Sequence, residues 1–195
     1  MGHSQAEKQQ NRERILAEVS RQVRRDGLES VSVGTLMKSV GLTHGGFYGH
    51  FASRSALLSE ALERALMDGE AKAKVQQPNG PQRFSTIVRS YLSRAHRDAP
   101  ESGCAMAALV CDVGRADRAS REIMTEHIEA SIASVSASLD GNEAGAIVAL
   151  STMIGALALS RVVVDPVRSG AILKAARDQL NALDVAAPSG STHTR

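Results

Sequence analysis

Apolar residues in this chain recur three and four positions apart along most of its length. Nowhere do they alternate as a half-buried strand requires. That pattern confines the chain to helices that each bury one stripe. Ile15, Leu16, Val19 and Val23 mark a first helix, ended by Asp26-Gly27, with Leu28 and Val31 tucked beneath. Ser32 is expected to cap a second helix that turns Val33, Leu36, Met37 and Val40 inward. Gly41-Leu42 makes a tight turn, and Thr43 is expected to cap a short third helix to about His50. Ser53 caps a fourth helix, running to about residue 77, through Leu57, Leu58, Ala61, Leu62, Ala65 and Leu66.

Breakers divide the remainder. Gln76-Gln77-Pro78-Asn79-Gly80-Pro81 is a boundary, and Ala99–Gly103 is another. Between them lies a helix carrying Phe84, Ile87, Val88, Tyr91, Leu92 and Ala95. A short apolar helix spans Cys104–Val113, and a longer one runs from Arg118 to Leu139. After the turn Asp140-Gly141-Asn142 comes an apolar helix at 143–164, then a last helix opened by Asp165-Pro166 and running to about Leu183. The reading is an all-α chain of about nine helices, with a Pro/Ser/Gly/Thr-rich tail at 186–195 expected to be disordered.

Composition narrows the function. Two cysteines in 195 residues cannot make a disulfide scaffold, and 3% aromatics with no tryptophan disfavour a carbohydrate-stacking surface. No Gly-rich phosphate loop, paired carboxylate motif or metal-ligand spacing is present, so neither an enzyme nor a metal or other cofactor is expected. Residues 1–54 carry eight cations against five anions, although the whole chain is only +2. A basic N-terminal third suits a polyanion. The polar N-terminus has no apolar signal-like run, and Ala6 stands where myristoylation wants Ser or Thr. The apolar stretch 144–164 contains Ser151, Thr152, Gly155, Ser160 and Arg161 and is read as a buried helix rather than a membrane span. A cytoplasmic setting follows.

The segment VGTLMKSVGLTHGGFYGHF, residues 33–51, has the build of a helix-turn-helix. Phe47 and Phe51 are its buried anchors, while His44, Gly45, Gly46, Tyr48, Gly49 and His50 remain for the outer face. Three glycines in so short a helix cost about 1 kcal/mol each relative to alanine. The segment needs support from its neighbours, and its bareness suits a bulky surface that must come close, as a DNA major groove does. The longer run LESVSVGTLMKSVGLTHGGFYGHFASRSALLSEAL resembles the DNA-binding domain of the tetracycline-repressor (TetR) family of bacterial transcriptional regulators. The resemblance rests on Phe47-Tyr48-Gly49-His50-Phe51, the turn Ala52-Ser53, then Arg54 and Leu57-Leu58, and covers about residues 10–60.

The resemblance implies an N-terminal helix-turn-helix domain over 1–54, a helical ligand-binding and dimerisation domain over 55–185, and double-stranded DNA as partner. Tyr48 would contact phosphate or base and His50 the backbone, with His44, Gly45 and Gly46 at the base-reading start of the recognition helix. Thr43 would donate to a phosphate, Ser32 and Val33 would sit at the phosphate-contacting start of the second helix, and Arg54 would bind phosphate. Gly34 departs from members that place a long base-reading side chain there. A homodimer through helices 143–164 and 166–183 would read a palindromic operator, with Gly145, Ala149, Thr152, Ala156 and Leu159 as a close-packing face. An unidentified small-molecule inducer would release DNA, with Tyr91, Cys104, Met106, Met124, His127, Met153 and Arg161 as candidate lining groups. Arg161 could reach solvent, pair with Asp165 or Glu143 across a dimer, or bind an anionic ligand. In a second version Cys104, near a helix N-terminus, or Cys111 senses oxidants or electrophiles. An intrahelical disulfide is excluded, since seven residues of helix separate α-carbons by about 10.5 Å.

Overall fold

The computed structural model describes residues 5–75 and 83–186. Among them are nine α-helices and no strand. The helices are α1 (Gln5–Asp26), α2 (Val33–Ser39), α3 (Arg54–Val75), α4 (Phe84–Tyr91), α5 (Arg94–Asp98), α6 (Ala105–Val113), α7 (Arg118–Ala137), α8 (Glu143–Val162) and α9 (Pro166–Ala186). Leu28–Ser30, His44–Gly49 and Pro100–Ser102 form tighter 3-10 turns. The all-α reading holds. The breaker at Gln76–Pro81 and the tail beyond residue 186 lie outside the described residues.

Two helices depart from the sequence pattern. The third is a 3-10 segment rather than an α-helix, for the reason its composition gives: three glycines of six residues make a poor α-helix. The stripe over 84–95 is broken into α4 and α5. Leu92 leaves the helical ψ, and the Ser93 hydroxyl accepts from the His96 amide at 3.1 Å, starting a new helix instead of continuing the old one.

The chain divides into two compact units: Met1–Gln76 with Pro100–Glu126, and Gln77–Ala99 with His127–Arg195. In the first, α1 packs on α3, α6 and the Pro100–Ser102 turn. Ile15, Val19, Val23, Leu57, Leu62 and Leu109 are fully buried there. At about 25 cal/mol per Å² of apolar surface, that burial is the main term holding α1 against its neighbours. A polar seam runs beside it. Buried Arg24 donates to the Ala65 carbonyl at 3.1 Å and lies 3.7 Å from Asp68. Arg64 bridges Asp68 at 2.8 Å and Glu13 at 2.9 Å. Burial lowers the Arg24 pKa and Asp68 opposes the shift, so the guanidinium depends on that carboxylate.

In the second unit α8 packs on α9, α9 on α4 and α5 on α8. Phe84, Val88, Leu92, Met153, Leu157, Leu173 and Leu180 form the core. Ser169 donates to the Ser160 carbonyl and receives Arg97 at 2.8 Å, pinning the α8–α9 corner. α8 is a helix long and apolar enough to cross a membrane, and one side of it, including Ala149, Met153, Ala156 and Leu157, is buried inside this unit.

Turns follow backbone demand. Gly27, Gly41 and Gly141 have φ of 87°, 75° and 84°. Gly27 is doubly constrained, because a Cβ there would meet the Asp112 carboxylate oxygen at 2.8 Å, the oxygen that accepts the Leu28 amide at 3.1 Å. Gly27→Ala is expected to destabilise the protein by about 1–3 kcal/mol, from left-handed strain and the displaced carboxylate. A thermal midpoint within 1 °C of wild type, measured by circular dichroism, would contradict this origin of the constraint.

Candidate nucleic-acid interface

α2 is seven residues long, too short to stand alone, and carries Leu36 and Met37 inward. Its C-terminus closes with the Leu42 amide on the Met37 carbonyl at 2.8 Å and Gly41 in the left-handed region. The segment His44–Gly49 follows at once. Its single fully buried side chain is Phe47, whose ring stacks on Phe51 at 5.7 Å between centroids. The Arg12 guanidinium covers Phe51 at 4.9 Å and is held in turn by Glu60. The Tyr48 ring meets the edge of Phe47 at 5.2 Å, yet it is 70% exposed. A tyrosine so placed is fixed at its root and free at its hydroxyl end.

The other predicted side chains fall around it. His44 and Gly45 are exposed, and His50 is half-buried at the end of the segment. Gly34 and His44 are neighbours: a Cβ on Gly34 would lie 3.6 Å from the His44 ring, so the start of α2 and the start of the 3-10 segment share one face. Ser32 on that face is exposed and Val33 half-buried. Neither Ser32 nor Thr43 caps with its side chain, contrary to expectation. The Ser32 hydroxyl accepts from Thr35 at 3.4 Å, and the cap at Thr43 is made by its carbonyl, which accepts the Gly46 amide at 3.0 Å.

The glycines carry the clearest message. None of Gly45, Gly46 and Gly49 has a positive φ. A Cβ on Gly45 or Gly49 would meet nothing within 4 Å, and one on Gly46 would make ordinary contacts with Thr43 and Met37. The fold itself does not require glycine at these positions. The Arg54 guanidinium donates to the carbonyls of Val31 at 3.0 Å and Leu28 at 3.4 Å and to the Glu29 carboxylate at 3.2 Å.

The seven candidate lining groups are distributed over both units. Cys104, Met106 and Met124 belong to the first unit, and Tyr91, His127, Met153 and Arg161 to the second. Met106, Met124 and Met153 are core residues. Cys104 is the half-buried residue before α6, and Cys111 is exposed. Tyr91 and Arg161 do converge, on α5. The Tyr91 ring stands edge-on to His96 at 4.8 Å, and Arg161 donates to the His96 and Arg97 carbonyls at 3.0 and 3.1 Å. A cation on helix-terminal carbonyls is a stabilising arrangement. A cleft of about 650 Å³ lies on the first unit, lined by Arg14, Arg21, Arg24, Asp68 and Glu101 among others, and none of the seven lines it. Among the described residues no group of three or more His, Cys, Asp or Glu side chains could hold a metal.

The small-residue face expected on α8 is part interior and part open: Gly145 and Thr152 are half-buried, and Leu159 is exposed. Ala149 and Ala156 are buried inside the unit, while Ile147, Val148, Leu159 and Val162 are exposed. A helix apolar all round gives periodicity no means of choosing its outer face. Leu159 belongs to the face expected from the sequence, whereas exposed Ile147, Val148 and Val162 were not singled out there.

Searches with the sequence find no matching family model and no matching curated relative. Solved structures do match. A TetR transcriptional regulator from Chloroflexus aurantiacus superposes with a TM-score of 0.76 at 20% identity, over 93% of this chain and 97% of its own. Reduced NemR from E. coli superposes with a TM-score of 0.73 at 20% identity, over 89% and 96%. RolR bound to resorcinol gives a TM-score of 0.53 at 14% identity, over 96% and 97%. The chain has the TetR fold. Coverage of 89% and 93% of this chain carries the fold likeness well beyond the 10–60 segment.

One group in the second unit of this TetR fold titrates abnormally. Burial holds the His96 imidazole below its ordinary pKa, against the opposing pull of its Nδ1 bond to the Tyr91 carbonyl at 2.7 Å; Arg161 adds to the lowering. The folded chain therefore keeps His96 neutral where the unfolded chain protonates it. Its contribution is intact above the ordinary value of about 6.5 and is lost as pH falls from there through the depressed folded value. Thermal midpoints of wild type and His96→Asn should run parallel above about pH 7 and converge below about pH 6. Parallel curves throughout would remove His96 as the cause.

Proposed function

We propose that this protein is a homodimeric DNA-binding transcriptional regulator of the cytoplasm. In this reading residues 1–54 form the reading head, and 55–185 the ligand-binding and dimerisation region. The observation that carries it is the bare, glycine-rich edge around Tyr48. An exposed ring rooted on a buried phenylalanine stands beside glycines that the fold's own backbone and packing do not demand. Close approach of a rigid groove gives those glycines a purpose. Tyr48, His44, Gly45 and Gly46 would meet bases or phosphates, while Ser32, Val33, Thr43 and His50 would flank them on the backbone. The basic bias of residues 1–54 agrees in sign.

A single short segment buries too little for specific binding, so two copies are required, at half-sites about 34–36 Å apart or a multiple of that. The exposed stripe of Ile147, Val148, Leu159 and Val162 on α8 supplies a face for the second copy, with α9 beside it. RolR, of the same fold, is solved with the ligand resorcinol. A small-molecule inducer that favours a dimer with its heads at the wrong spacing would release a repressor from a palindromic operator. A cysteine sensor is the variant reading, favoured by the exposure of Cys111.

Duplexes of about 30 base pairs tiled from the DNA flanking the gene should include one that binds at low salt, with affinity falling steeply as salt rises. Tyr48→Ala should weaken that binding about tenfold or more while leaving the helical spectrum unchanged, because the ring is mostly exposed. Failure of wild-type protein to bind any tile defeats the proposal. Leu159→Glu should shift sedimentation from dimer to monomer, since it places a charge in the middle of an apolar interface. A monomeric wild type, or a dimer indifferent to that charge, rules out the α8 face.

A further inference from the structure

Arg54 begins α3, and the first turn of that helix holds no acidic residue. A cation at a helix N-terminus opposes the helix dipole, so this position needs a compensating partner. The structure supplies three acceptors, all within one short stretch. Nε donates to the Val31 carbonyl at 3.0 Å, and one Nη reaches the Leu28 carbonyl at 3.4 Å and the Glu29 carboxylate at 3.2 Å. These belong to the joint between α1 and α2, whose side chains Leu28 and Val31 are buried.

Other polar groups of the joint are also held from outside it. The Leu28 amide donates to Asp112 of α6 at 3.1 Å, and Gln22 of α1 donates to the Ser30 carbonyl at 3.0 Å. The joint is thus fastened from α1, α3 and α6, with Arg54 as the fastening from α3. Its place in the chain gives that role a consequence. Val31 immediately precedes Ser32, where α2 begins, and Arg54 lies three residues after Phe51, which anchors the end of the 3-10 segment. The Arg54 fork therefore ties the entry of the helix-turn-helix to its exit across 23 positions of sequence.

We propose that Arg54 is a positioning residue for DNA binding, closing the two ends of the helix-turn-helix, and is not a phosphate ligand. The assignment rests on the DNA-binding reading above. A phosphate would have to draw the guanidinium away from two carbonyls and a carboxylate that already engage it. Paired with Glu29, the side chain adds no net charge to the surface facing a polyanion. Lysine, a point charge on a flexible stem, cannot reproduce a fork that meets two carbonyls at once.

The test uses the full chain and whichever tiled duplex wild type binds. Affinity is measured across a salt series for wild type, Arg54→Lys and Arg54→Ala. Amide hydrogen exchange over residues 28–34 is measured without DNA. Both variants should bind about tenfold more weakly, with the slope of log affinity against log salt unchanged, and the amides should exchange faster in both. A phosphate ligand gives the opposite result: Arg54→Lys near wild-type affinity, and Arg54→Ala with a slope shallower by about 0.9. That outcome overturns the assignment. If Arg54→Ala does not fold, Arg54→Lys decides, since it keeps the charge and loses only the fork. Wild type binding none of the duplexes sinks the DNA reading itself. Wild-type binding with a lysine variant equal to it sinks only the role of Arg54.

Discussion

Burial of the Phe47 ring is the interaction on which the candidate interface depends. The 3-10 segment that bears it has three glycines in six residues and no helix-forming tendency worth the name. Its local backbone bonds, such as the Gly46 amide on the Thr43 carbonyl, are too few to keep it folded alone. Phe47 carries the segment inward, Phe51 stacks on it, and Arg12 of α1 closes the outer side of Phe51. Arg12 is itself steadied by Glu60 of α3. A weak backbone is thus held by side chains from two strong helices. This arrangement frees every other residue of the segment from structural duty, which is what a reading surface needs.

Those strong helices were plain in the sequence because their stripes are one-sided. Ile15, Val19 and Val23 on α1, and Leu57, Ala61, Leu62 and Ala65 on α3, are all fully buried. The cap at Ser53 was equally legible, and its hydroxyl accepts the Ala56 amide at 3.0 Å. What the stripes could not give was choice among equivalents. On α8 the apolar residues run all the way round, so of the expected close-packing face Ala149 and Ala156 lie in the interior while Leu159 is exposed. At Arg161 a charge in an apolar run suggested Asp165 or Glu143 as partners, but its hydrogen bonds run elsewhere. The partner is a pair of backbone carbonyls, and a carbonyl leaves no mark in a sequence.

The same blindness explains Arg54. Its charge and its place at the head of α3 are visible in the sequence, and both suit a phosphate. Its actual acceptors are main-chain groups of a joint 23 and 26 positions away. Most side-chain hydrogen bonds go to backbone or water, and neither partner shows in the local pattern. The joint needs them because a turn with buried Leu28 and Val31 has polar groups that its own short 3-10 geometry leaves unmet.

The 3-10 winding also changes which residues stand together on the interface. At 3.6 residues per turn, Tyr48 would lie about 40° around the axis from His44, and the two would form one ridge. At three residues per turn they lie about 120° apart, and Tyr48 falls in line with Gly45 instead. Gly45 presents no side chain, and a Cβ there would have met nothing within 4 Å. The Tyr48 ring therefore stands with open space on the side where an α-helical wheel puts an imidazole. His44 is left beside Gly34 of α2, across a gap that a larger residue at 34 would close. The candidate interface carries two separated polar side chains over a floor of glycine rather than one continuous ridge. Its breadth follows from the glycines that made the α-helix unfavourable in the first place.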